Sequence, residues 1–363
     1  MRRWPLIAVL CLGAAGLGAH EGEADVQVIQ NHVAAVQGPP GTPASEAEVD
    51  ETLAQGTLTH RQGLAPGLST EGTFWASLDT LPSQTSQSLP QNKLAFSSHF
   101  LEGWLSWEPL PGTLNFGGGK QVIHPSSGFS HTPLDFAVRG APTTGAQATS
   151  SWEEGWIGTK VSGFLDKVSA SVFYAPSLSW NRATDDAGLK YLTSQQTDGF
   201  VQGQIGLTLD ATDLRALVIQ GPGNPRLGLG VDSSWGDALT LRAESAADAS
   251  QAAPRFDSMA GATWTTTEQS TVMAELSRDE TGTTGRTYGF VRAAGKLDSN
   301  VDADAWAKTN LDDHSGWLGS SVTYTADHWA LGGSWLGSWG SPTSDAGLSP
   351  LRWKTTVEVK AFF

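Results

Sequence analysis

The 363-residue chain is short of cysteine, of positive charge and of long apolar runs. Its one cysteine, Cys11, lies among the apolar residues near the start ("AVLC"), so disulfides contribute nothing to the fold. Lysine and arginine total 22 against 37 aspartates and glutamates, for a formal net charge of -15. Nucleic acid demands basic surface and is an unfit partner for so acidic a chain, whereas cations or a cation-bridged surface are fit ones. No stretch after the first twenty residues approaches the roughly 20 apolar residues of a membrane helix. A chain of this kind enters a bilayer only as strands.

What is present begins with a leader. "MRRWPLIAVLCLGAAGLGAH" has two arginines, an apolar run from Trp4 to Gly18 and small residues near Ala19, the pattern of a secretory signal peptide over 1–19. The run is short for a spanning anchor, and no small residue precedes Cys11 as lipidation would require. Cleavage removes Arg2 and Arg3 and takes the formal charge from -15 to -17. Residues 20–71 read as a periplasmic low-complexity tail rich in Ala, Gly, Pro, Glu and Gln. Val26, Ile29, Val33 and Val36 fall at helix-like spacing, but "GPPGTP" stops any helix, and a flexible linker is expected.

From Gly72 the hydrophobic period becomes two and stays two to Phe363. About sixteen strands are expected, the first near 72–79 and the last at 351–363. In 238–246 the apolar parity is Leu239, Leu241 and Ala243, against Thr240, Arg242 and Glu244. In 299–310 it is Val301, Ala303, Ala305 and Ala307, against Asp302, Asp304, Lys308 and Asn310. Such alternation means a sheet with one apolar and one wet face. A soluble sandwich alternates too, but with strands of about 5–6 residues, whereas most segments here are near the ~9–11 needed to cross a bilayer. Trp317, Trp329, Trp339, Trp353, Tyr174 and Tyr324 lie near strand ends, as girdle residues at a membrane–water boundary do.

Tight links ("PLPGT", Asp166-Lys167, "DATD", "WGD", "TADH") alternate with longer, more variable ones. That is the signature of an antiparallel up-and-down meander with unequal rims, so the fold class is an all-β transmembrane β-barrel over 72–363. The first strand after the tail must then pair with the last, because an open edge in hydrocarbon leaves backbone groups unpaired.

Two stretches add a family resemblance. The terminal strand "LRWKTTVEVKAFF" alternates Trp353, Val357, Val359 and Phe363 with Arg352, Lys354, Glu358 and Lys360. It resembles the C-terminal signature of Gram-negative outer-membrane β-barrels, which implies recognition by the barrel-assembly machinery and contact with outer-membrane lipid and lipopolysaccharide. Residues 93–136, with "EGWLSWEPLPGTLNFGGGKQVIHPSSGFSHTPLDF", look like porin-like barrels of the alginate-export and DUF1302 types. Gly119, Lys120 and Gln121 match their G-K-Q, and Pro133, Asp135 and Phe136 a later P-x-D-x-F; Pro125-Ser126 stands where relatives often have Trp-Gly. The resemblance implies an outer-membrane porin passing small hydrophilic solutes or ions by passive diffusion, and a homotrimer by analogy with related porins. A structural or adhesion barrel acting through its loops, and a lipid-modifying enzyme, are the alternatives.

Parity assigns Lys160, Arg215, Arg226, Arg242, Glu244, Glu275, Arg292, Asp302, Asp304, Lys308, Arg352, Lys354, Glu358 and Lys360 to a water-facing lumen. With Asp232 added, this wall has a small basic excess and suggests weak anion preference. Lys120 breaks the parity by sharing a face with Leu114 and Phe116, which calls for a bulge or an early exit. The connection 123–153 is long enough to be a constriction loop folded inward, carrying His124, His131, Asp135 and Arg139. The histidines are not spaced as a helical pair, no zinc-ligand signature or catalytic triad is present, and "GGGK" lacks a phosphate-loop register. No metal, cofactor or enzymatic activity is expected.

Overall fold

The computed structural model describes residues 22–37, 45–82, 92–135, 139–140, 153–177, 199–223, 225–248, 255–266, 270–280, 285–341, 343–346 and 351–362. The leader and Phe363 lie outside the described residues. Every regular element among those described is a strand. Eighteen of them form one antiparallel sheet. In chain order they are β1 (Gly22–Gln37), β2 (Ser45–Ala65), β3 (Leu68–Pro82), β4 (Asn92–Leu110) and β5 (Leu114–Gln121). After the short pair β6 (Arg139–Gly140) and β7 (Glu153–Glu154) come β8 (Trp156–Leu165), β9 (Val168–Ala175), β10 (Phe200–Leu209) and β11 (Thr212–Gln220). Next are β12 (Arg226–Trp235), β13 (Leu239–Asp248), β14 (Arg255–Thr265), β15 (Thr271–Asp279) and β16 (Arg286–Asp298). The last four are β17 (Val301–Asn310), β18 (Gly316–Thr325), β19 (Trp329–Trp339) and β20 (Leu351–Phe362). Each sheet strand pairs with the next in sequence, β5 passing to β8, and β1 pairs with β20 to close the barrel.

The expected alternation sorts the side chains as hydrocarbon and water require. Leu229 is 65 % exposed on one face, with Ile205, Leu276, Val291, Val357 and Val359 also exposed there. On the other face Glu244 and Glu275 are buried. In a soluble sandwich the aliphatic set would be the hidden one. Tyr174, Tyr324, Trp329 and Trp339 are exposed near strand ends, and Tyr324 packs on Trp329 with ring centroids 5.4 Å apart. Trp317 does not join this girdle. It pairs with Lys308 on β17 and Ser338 on β19, which places it at inward register.

The rims differ as the link lengths suggested. One carries tight turns such as Asp166-Lys167 and Asp210-Ala211, where Asp166 and Asp210 take φ of 49° and 52°, the left-handed start of a tight hairpin. The same rim carries the start of β1 and the end of β20, since Asp25 lies opposite Phe362. The long segment between β5 and β8 leaves from the other rim. Parity at Lys120 is broken by Gly119. Its φ of +138° suits glycine, a Cβ there would stand 2.2 Å from Gly103 O, and the next residue, Lys120, is 7 % exposed.

One expectation is corrected. Residues 22–65, read as tail or short helix, form β1 and β2, so the sheet has eighteen strands and not sixteen. The strand near 72–79 is part of β3, and β20 pairs with β1 in its place. The misreading has a physical cause. In β1, Gln30 and His32 interrupt the parity of Val26 and Val28, and the first half of β2, "SEAEVDET", offers only Ala47 and Val49 as an apolar set. These strands are long (β2 has 21 residues, β12 has 10), so much of their sequence answers to water.

The closure is directly testable, because the rest of the chain offers no competing thiol beyond Cys11. Val28 and Val359 are register partners. The double variant V28C/V359C should cross-link under mild oxidation in folded protein, and A76C/V359C should not. The reverse result would return closure to β3.

Candidate functional site

The site is built where the segment after β5 meets the inner wall. Gln121 ends β5, and residues 122–135 then turn into the barrel, because their polar atoms are matched one by one to luminal side chains on β11 to β17. Ser126 Oγ and the Ser127 N–H donate to the Glu244 carboxylate on β13, and Ser127 Oγ donates to Asp232 on β12 at 2.9 Å. The N–H groups of Phe129 and Ser130 donate to the two oxygens of Glu275 on β15, both at 2.8 Å. Carbonyls are held from the opposite sign. Arg215 donates to Pro125 O, Arg242 to Ser127 O at 2.6 Å and Lys308 to Ser130 O at 2.9 Å. Counted around the sheet, β15 and β16 stand nearly opposite β5, so the segment crosses the lumen.

Apolar contacts lock the same segment. Leu134, 1 % exposed, packs with Leu217 and Ala246 on the inner wall. Phe129 stacks on Phe290 at 5.6 Å, with the Arg292 guanidinium 4.3 Å from its ring centre. At the base, Ile123 packs on an inward cluster of Trp156, Phe173, Ala175, Phe200 and Ile219. Gly128 permits the tight tip, since a Cβ there would lie 1.8 Å from His131 O.

The candidate loop residues separate. His131 Nε2 lies 2.6 Å from Asp257 Oδ1 on β14, whereas His124 Nδ1 is 3.5 Å from Asp135 Oδ2. Asp135 Oδ1 accepts from the Ser126 N–H at 2.9 Å and so braces the tip from within. The histidines therefore serve different partners, and among the described residues no group of three or more His, Cys, Asp or Glu is arranged to hold a metal. The Arg139 backbone pairs with Glu154 in the β6–β7 ribbon.

Of the fourteen charged residues expected on one parity, thirteen occupy paired ladder positions and Arg352 falls at the register shift between β1 and β20, and their situations differ. Arg215, Arg242, Glu244, Glu275 and Lys308 bind the crossing segment. Arg215 also pairs with Asp232, Arg292 with Asp304 and Arg226 with Asp248. Lys354 is buried, and Lys160 half-buried. Arg292, Lys296, Asp302 and Asp304 share a hollow with Thr271, Ser321 and Thr323 on the tight-turn side.

A second inward contact was not legible in the sequence. The link after β19 folds back so that Asp345 accepts from Arg286 and from the Tyr288 hydroxyl, while its own N–H donates to Asp313 at 2.6 Å. Asp313 is exposed, in the turn that follows β17. Burial pushes its carboxyl up, but the Ser315 hydroxyl and the amides of Asp345 and Ser315 outweigh that and hold it below the usual carboxylate range. Asp257, Phe129, Phe290 and Asp345 were also missed. For Phe129 the available signal was an aromatic ring isolated among serines in "SSGFSH".

No family model matches the chain, and no curated protein matches it either. Solved structures share its fold. Acinetobacter baumannii OccAB4 aligns over 94 % of this chain and 98 % of its own with a TM-score of 0.58 at 8 % identity. A. baumannii OccAB3 aligns over 94 % and 99 % with a TM-score of 0.56, also at 8 % identity. A triple mutant of Rhodopseudomonas blastica porin aligns over 94 % and 99 % with a TM-score of 0.50 at 11 % identity.

Two outcomes follow from this geometry. Each bond to the Glu275 carboxylate belongs to the charged class, worth about 1.5–3 kcal/mol. Glu275→Ala should therefore cut hydrogen-exchange protection of the Phe129 and Ser130 amides about ten- to hundredfold, and Glu275→Gln by less. Because the folded Asp313 carboxyl is held low, its contribution is complete above about pH 4 and is lost as pH falls through the lowered value. Protection of the Asp345 amide, corrected for intrinsic rate, should collapse only in that acid range and should be pH-independent in Asp313→Asn.

Proposed function

We propose that this chain is an outer-membrane porin of a Gram-negative bacterium, passing small hydrophilic solutes or ions by passive diffusion. The observation that carries the proposal is a closed barrel with aliphatic side chains outside, charged ones inside, and a segment tethered across the lumen. Lipid accepts the outer face; water fills what the crossing segment leaves free. On this reading residues 122–135 are the constriction, and the charged luminal set is the pore wall. The tight-turn rim and both chain ends face the periplasm, and Trp353, Val357, Val359 and Phe363 form the assembly signal. The fold shared with a porin supports the reading.

The finer kinship, to alginate-export and DUF1302 barrels, is supported by the residues that carry it. Gly119, at φ +138°, precedes the buried Lys120, Pro133 is buried, and half-buried Asp135 braces the crossing segment through the Ser126 N–H. Homotrimer assembly and contacts with lipopolysaccharide and the barrel-assembly machinery are proposed on the same ground.

Charge at the constriction argues against the anion preference suggested by wall parity alone. Arg215, Arg242, Arg292 and Lys308 face Asp232, Glu244, Asp257, Glu275 and Asp304, four cations against five carboxylates, and most are tied to one another or to the loop. A rival reading, a structural barrel closed inside, draws on the same crossing segment. Planar-bilayer recording separates them. Purified protein should give stable ohmic steps in KCl with a reversal potential near zero across a salt gradient. Deleting 126–131 should raise unit conductance severalfold. Silent membranes from protein that is folded by heat-modifiable gel mobility would favour the closed barrel.

A further inference from the structure

Tying down the crossing segment engages much of the inward charge. Arg215, Arg242, Glu244, Glu275 and Lys308 all bind the segment itself. In the hollow on the tight-turn side, two charges stay free. Lys296 and Asp302 both line it, and among the described residues neither makes an ion pair or a side-chain hydrogen bond. They are direct register partners on β16 and β17, where opposite charges ordinarily meet. The ladder shifts register immediately after Lys296, at the exposed Leu297, and a bulged strand bends. Cation and carboxylate therefore face one space without touching. That space is about 270 Å³, below the ~300–1,000 Å³ of drug-sized pockets, so its ligand is small. Ala294, inward between Arg292 and Lys296, leaves it room, and the Arg292–Asp304 pair bounds it on the side of the crossing segment. Ser321 and Thr323 on β18, opposite Asp304 and Asp302, add hydroxyls. Beyond Gly332, Glu358 and Lys360 continue the wall with one charge of each sign.

A hollow with one free charge of each sign discriminates by how charge is distributed on the solute. An anion gains Lys296 and meets Asp302 as a like charge, and a cation has the converse problem. A neutral solute gains neither. A zwitterion answers both. Spacing narrows the class. Directly opposite residues hold their Cβ atoms about 4.5–5.5 Å apart, so a matching solute carries its own two charges only a few bonds apart. We infer that Lys296 and Asp302 form a luminal recognition site for small zwitterions, with α-amino acids as the class. The solute carboxylate lies toward Lys296, its ammonium toward Asp302, and Ser321 and Thr323 meet the remaining hydrogen-bonding positions. This rests on the channel reading above and adds a substrate class to it.

The test uses the full chain in proteoliposomes, with the potential held near zero by K⁺ and valinomycin and with four probes of similar size. Alanine is the zwitterion, lactate the anion, alaninol the cation and lactamide the neutral control. Two exposed ion pairs are worth about a 3- to 10-fold preference, so below saturation alanine should enter faster than each of the others by that ratio. Lys296→Gln should cancel the lead and place alaninol first, whereas Asp302→Asn should cancel it and place lactate first. The double exchange K296D/D302K, which returns both charges, should restore alanine to the lead. Unboiled gel mobility verifies that each variant is folded. Alanine entering no faster than lactamide through a conducting wild-type channel would overturn the inference and leave the porin reading standing. A lead that survives both single variants, or that the exchange fails to restore, would overturn it as well. Absence of KCl conductance from folded protein would overturn both.

Discussion

Backbone hydrogen bonding in hydrocarbon is the constraint on which the structure depends. Each unpaired N–H or C=O there costs several kcal/mol, so a sheet with two free edges is not an available state. The β1–β20 ladder, running from Asp25↔Phe362 to Ala35↔Leu351, removes both edges at once. Closure also explains why strands with ill-patterned side chains are recruited. β1 and β2 contribute ladder bonds whatever their faces look like, and the ladder is what the bilayer demands.

A closed wall creates a second problem, an interior lined with charge. Glu244 and Glu275 are 3 % and 4 % exposed, and a carboxylate so buried needs donors or it is strongly unfavourable. Strand neighbours supply few, since adjacent inward positions hold carboxylates and small residues as well as arginines. The crossing segment supplies backbone amides in the needed number, and it in turn needs acceptors because it has left water. Loop and wall are thus mutually dependent. This reciprocity selects serine and glycine for the tip: Gly128 for its turn, and Ser126 and Ser127 for hydroxyls that add to the amide contacts.

How much of this the sequence disclosed follows from the same physics. Strands crossing the bilayer touch two different solvents, so their period is enforced at every residue. The expected 238–246, 299–310 and 351–363 agree with β13, β17 and β20 to within a residue or two. β1 and the first half of β2 fall short of a clean two-residue period and read as tail. Parity also puts Glu244 and Glu275 at inward register positions. It could not say which charges meet a loop 90 or more residues away in sequence, because a contact such as Ser127 with Glu244 leaves no local pattern. Trp317 shows the limit of arguing from residue type. Tryptophan near a strand end suits a girdle, yet register with Lys308 turns it inward.

The strongly acidic composition is a poor guide to the field inside the barrel. Glu46, Glu48, Asp50 and Glu51 are all on the first half of β2, and other acids sit in exposed turns, as Asp166 and Asp210 do. With a screening length near 8 Å at physiological salt, charges on the rims contribute little at mid-lumen. The crossing segment meets its own near-balanced set of charges, in contact range and screened far less. Net charge therefore bears on solubility and surface association, whereas the field at mid-lumen is governed by which inward charges are left unspent after the segment is tied down.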